Sequence, residues 1–69
     1  MYDYEICKEE FDESGYVCVD VQELDFAATK KEAEKKQKKL RKEYPNDIIT
    51  IRQYKETKNE ERHLVMVYE

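Results

Sequence analysis

The chain has one glycine, one proline, one histidine, two cysteines and no tryptophan in 69 residues. Each shortage removes a class of chemistry. Phosphate-cradling loops need closely spaced glycines, so a single Gly15 excludes them. His63 has no second imidazole to relay a proton or complete a metal site. Neither cysteine, nor Ser14, lies in a nucleophile motif. The acid pairs Glu9–Glu10 and Glu60–Glu61 fall in polar stretches, where carboxylates are solvated. No apolar run is long enough to cross a bilayer and no signal-peptide pattern is present, so a cytoplasmic chain with no membrane partner is expected. Two cysteines are too few for a disulfide framework. At this length the core is small and leaves little room for a pocket. Catalysis, a cofactor and a bound metal are therefore not expected.

What the chain has in plenty is charge, at 43% of residues, with a net charge of −4. The signs are segregated. Residues 30–43 hold eight Lys or Arg against three Glu, and residues 1–25 hold nine acids and one lysine. An acidic chain is not captured by nucleic acid as a whole, although a local basic ridge is.

Residues 29–44, TKKEAEKKQKKLRKEY, form the one helix-grade stretch. Thr29 with Glu32 makes a capping box, the interior is built of strong helix formers, and Pro45 stops it. Glu32/Lys36 and Glu34/Lys38 are spaced as i,i+4 ion pairs. Ala33, Leu40 and Tyr44 make a thin apolar stripe, with Gln37 and the stem of Lys36 beside it. Opposite them Lys31, Lys35, Lys38 and Lys42 form a ridge. Such a helix needs a sheet to lie on.

Period-2 patterns on either side supply that sheet. Strands are predicted over residues 2–8, 16–24, 47–55 and 62–68, with a polar turn at 9–15 broken by Ser14-Gly15. Val17, Val19 and Val21 share one face of the second strand, and a bulge near Gln22 returns Leu24 and Phe26 to the core. The hairpin register that gathers the large apolar residues sets Ile6 opposite Val19, Tyr4 opposite Val21 and Cys7 opposite Cys18. Of two parities that fit nearly equally, pairing Ile51 with Met66 and Ile49 with Tyr68 puts Ile49, Ile51, Leu64, Met66 and Tyr68 inside. Thr50, Arg52, Tyr54, His63, Val65 and Val67 then face out. The fold expected is α+β, ββαββ, one domain: a four-stranded antiparallel sheet of order 2-1-3-4 or 1-2-4-3 with one helix on one face.

Three surface features follow. An acidic face with aromatic anchors, built on Asp3, Glu5, Tyr16, Asp20 and Tyr54 with Tyr2 nearby, would bind a basic protein surface. The ridge of Lys31, Lys35, Lys38 and Lys42, with Lys39 and Arg41 beside it, would contact a phosphate backbone with little base reading. The sheet face without a helix would join two copies into a homodimer. The thiols Cys7 and Cys18 read as free, the alternatives being a cross-strand disulfide or a shared metal site with His63.

The order of elements, with the helix TKKEAEKKQKKL set between YVCVDVQEL and DIITIRQY, resembles small ββαββ proteins of phages and mobile elements, anti-CRISPR proteins among them. The resemblance covers nearly the whole chain and is one of architecture, so no functional residue is carried over. It implies a viral, non-catalytic inhibitor that occludes a site on a nucleic-acid-handling defence complex in the host cytoplasm.

Overall fold

The computed structural model describes residues 2–59 and 61–69, with the side chain of Tyr2 outside the described part. The elements are β1 (Tyr2–Phe11), β2 (Cys18–Ala27), α1 (Lys30–Glu43), β3 (Ile48–Glu56) and β4 (Arg62–Tyr68). One antiparallel sheet of order β2-β1-β3-β4 results, as the first of the two expected orders requires. The thinnest dimension, 14 Å, is one sheet and one helix layer.

The helix begins and ends where its residues dictate. Thr29 is extended (φ −128°, ψ 156°) and its side chain accepts from Glu32 N at 3.2 Å, while Thr29 O accepts from Ala33 N. Tyr44 N closes the last turn on Leu40 O at 2.8 Å, and Pro45 follows. Ala33 and Gln37 are buried against the sheet, and Gln37 Nε2 donates to Ile49 O at 2.9 Å. The helix lies over β1, β2 and β3 and reaches β4 through Lys30, whose ammonium stands 3.6 Å from the Tyr68 ring. The two expected i,i+4 pairs do not form. Lys30 pairs with Glu34 at 3.4 Å instead, and Lys36 donates to Asp25 Oδ1 at 3.3 Å and to Phe26 O. These bonds latch the helix to β2.

The core is Tyr4, Ile6, Ala27, Ala33, Ile49 and Ile51, with Leu24, Leu40 and Tyr68 packed against it. Ile6 sits at its centre, 0% exposed.

Both hairpin registers differ from the predicted ones. Ile6 faces Asp25 and Tyr4 faces Ala27, so β2 is displaced by six residues. The cause is the turn. Asp12 Oδ1 accepts from Ser14 N, Asp12 O from Gly15 N, and Asp12 N donates to Val17 O, so the chain reverses at Asp12 rather than at Glu9. Gly15 takes the positive φ of 77° that the reversal needs. Val17, Val19 and Val21 therefore lie out along an arm beyond helix and core, and Val19 is 60% exposed. One register slip falls between Asp25 and Glu23, leaving Leu24 as the bulged residue, two along from Gln22, and a second leaves Val19 unpaired between Asp20 and Cys18. Leu24 packs on the core as expected, but Phe26 lies opposite Glu5, on the face away from the helix.

In the second hairpin Ile51 faces Tyr68 and Gln53 faces Met66, two residues from the prediction. A shift of two keeps the side of each residue, so Ile49, Ile51 and Tyr68 point to the helix and Thr50, Arg52, Tyr54 and Val67 away from it. A bulge at Val65 then turns Leu64 to the open face, and Leu64 and Met66 are exposed rather than core. His63, opposite Lys55, falls on the helix side.

Candidate functional site

The face without a helix can be read row by row across the sheet, because paired residues of antiparallel strands share a side. One row runs Phe26–Glu5–Arg52–Val67, from edge to edge. Next to it on one side are Asp3, Tyr54 and Leu64. On the other are Glu23, Cys7 and Thr50, and then Val21, Glu9 and Ile48. Charge occupies the centre and apolar side chains the two margins.

The central charges are ordered by two arginines. Arg52 Nη2 lies 2.6 Å from Glu9 Oε1. Arg52 starts opposite Glu5 and ends on Glu9, so its stem crosses Cys7 and Thr50. That stem is why both are 1% exposed on a face that no helix covers. Arg62 binds Glu5 Oε1 at 3.0 Å and Asp3 Oδ2 at 3.1 Å, with its guanidinium 4.3 Å from the Tyr54 ring centre. Glu5 and Glu9 are each only 8% exposed.

The titrations follow from these contacts. The hydrogen bond that Arg52 donates to Glu9 raises its pKa further, and the one that Arg62 donates to Glu5 does the same for Arg62. Loss of hydration, then the hydrogen bond with Glu5, raises the Glu23 carboxyl. Burial, then the nearby Glu5 charge, pushes the Cys7 thiol up to about 11. Thr50 Oγ1 and Arg52 Nε are buried on this face without a hydrogen-bond partner.

The acidic face drawn from the sequence is thereby taken apart. Asp3, Glu5 and Tyr54 are together, but both acids are held by Arg62. Asp20 faces Glu10, on the helix side of the sheet, because the bulge at Leu24 reverses the side of the residues before it. Tyr16 stands in the turn, 91% exposed. The residues that complete the face are Glu9, Glu23, Phe26, Arg52 and Arg62. Their one sequence signal is the alternation of Asp3, Glu5 and Glu9 along β1 against Arg52 and Arg62 later in the chain. Only the strand order and register turn that signal into contacts.

Cys7 and Cys18 do not meet: Cys7 faces Glu23 and Cys18 faces Phe11, and both thiols are free. Among the described residues no three His, Cys, Asp or Glu side chains are grouped to hold a metal. His63 Nε2 lies 3.3 Å from Glu61, and Ser14 Oγ bonds Asp12. At pH 8 a thiol with this pKa is roughly one part in a thousand thiolate, and Arg52 covers it. Alkylation of the folded chain is therefore expected to stop at Cys18, with Cys7 reacting only in denaturant, as read by intact mass.

On the opposite side of the molecule Lys31, Lys35, Lys38, Lys39 and Lys42 are all exposed on α1. Among the described residues no carboxylate pairs with them. One open cleft, of about 590 Å³, lies between Phe11, Arg41, Ile48 and Glu69. No described helix is long and apolar enough to cross a membrane. No protein-family model, curated protein or solved structure matches the chain.

Proposed function

We propose that this chain is a non-catalytic protein-binding module whose contact surface is the open face of its sheet, and that it acts in the cytoplasm by occluding a site on a nucleic-acid-handling complex. The observation that carries the reading is the arrangement Phe26–Glu5–Arg52–Val67. It presents exposed apolar margins around a charge network already ordered by Arg52 and Arg62. Phe26 is 53% exposed, and such residues in a contiguous patch with charge at the centre are what an interface uses. A network fixed in advance costs little further ordering on binding. Occlusion and a viral source come from the architectural resemblance, and the cytoplasm from a sequence with no membrane-length apolar run or signal-peptide pattern.

A second reading is supported by the lysine ridge of α1, which is exposed and free of paired acids among the described residues: weak, salt-sensitive contact with a phosphate backbone. One pair of variants separates the two. Phe26→Asp with Val67→Asp is expected to abolish capture of the protein partner from nuclease-treated host extract. Lys31→Glu with Lys35→Glu and Lys38→Glu is expected to leave that capture intact. If the lysine variant loses capture and the open-face variant retains it, the primary reading is wrong. Anisotropy with duplex DNA and RNA at low salt tests the second reading, which fails if the wild-type chain moves neither.

A further inference from the structure

We infer that the open face takes a segment of protein presenting a cationic side chain between apolar ones, the cation seating beside Glu5 and Glu23 against the Phe26 ring. This deepens the open-face reading and rests on it. Around the Phe26–Glu5–Arg52–Val67 row the face holds four carboxylates, Asp3, Glu5 and Glu9 on β1 and Glu23 on the edge strand β2, against two guanidinium groups, Arg52 and Arg62. Two negative charges are left over. They fall to Glu23, which lies diagonal to Glu5 across the β1–β2 pair with no cation among the described residues within ion-pair distance, the Arg62 charge acting on it from farther off. Two neighbouring carboxyl groups are a poor arrangement for a charged pair, and an incoming cation relieves it.

The surroundings select which cation. Phe26 is directly opposite Glu5, and its exposed ring offers a face on which a guanidinium stacks. Val21 on one margin, and Val67 and Leu64 on the other, are exposed and match apolar neighbours of that cation. A second copy of the chain is a poor occupant, because two open faces would bring the same excess charge together. Nucleic acid is excluded by sign.

The test uses the full chain and two capped peptides, acetyl-Leu-Arg-Val-Arg-Leu-amide and its counterpart with citrulline, neutral and of the same shape, at both arginines. Amide ¹H–¹⁵N shifts are followed. The arginine peptide is expected to move Glu5, Glu23, Phe26 and Val67, and the citrulline peptide to bind at least about tenfold more weakly. Glu23→Gln, on an exposed edge strand, is expected to weaken the arginine peptide selectively. Equal binding of both peptides at these amides overturns the cation while the contact surface stands. Movement at neither peptide up to millimolar concentration overturns both. Shifts at the same amides on concentrating the chain alone would make the occupant a second copy and likewise overturn the inference.

Discussion

Ile6→Ala is expected to remove a large share of the chain's stability at 25 °C, about 2–5 kcal/mol. Ile6 is fully buried at the centre of the sheet, opposite Ile51 on one side and Asp25 on the other, beneath the helix. Truncating a buried isoleucine to alanine costs about 2–5 kcal/mol, the upper part applying where the cavity cannot collapse. A domain of this length has roughly 3–10 kcal/mol in total, and the core here is six buried residues with three more packed on it. Val19→Ala is the matched control. Val19 is largely in water on the hairpin arm, so its truncation is expected to change stability by less than about 0.5 kcal/mol. Urea denaturation followed by circular dichroism reads both. Comparable losses at the two positions would mean that Val19 lies opposite Ile6 and that the register is wrong.

Arg52→Ala is expected to be the most damaging change on the open face, for two separable reasons. It strips a nearly buried carboxylate, Glu9, of its partner at 2.6 Å, and it removes the stem that covers Cys7 and Thr50. Removing one member of a buried pair is costly because the other is left charged and poorly hydrated. With Arg52 itself partly exposed, a loss of roughly 2 kcal/mol is expected. Replacing both, Glu9→Leu with Arg52→Leu, is expected to recover most of it, since no ion is left alone. The Arg52→Ala chain is also expected to alkylate at Cys7 while still folded. Full protection of Cys7 in that variant would show that something other than Arg52 covers it.

The helix was readable almost to the residue, because each of its signals is local: Thr29 three residues before Glu32, Pro45 beyond the end, and Ala33 and Leu40 on one side. The strand count, the connection order and β4 were readable for the same reason. Register was not. β1 looked finished at Lys8 because Glu9 and Glu10 are polar, yet Glu9 is kept in the strand by an arginine 43 residues away. No local pattern carries that pairing. The valines of β2 alternate as a buried strand does, but alternation states which residues share a side and not whether anything covers that side. In the second hairpin the prediction erred by two residues, which preserves side, so the outward placement of Arg52 and Tyr54 survived. In the first it erred by six with a bulge between, which moved Asp20 to the helix side and brought Phe26 and Glu23 to the open face. The acidic face went with that change, and a mixed one with ordered arginines took its place.

The placement of the contact surface is tested most directly by amide ¹H–¹⁵N spectra of the labelled chain with and without its captured protein partner. Shifts or broadening are expected to concentrate at Glu5, Glu23, Phe26, Leu64 and Val67, with Lys31, Lys35, Lys38 and Lys42 unmoved. Changes confined to the helix lysines, with the open face silent, would contradict it.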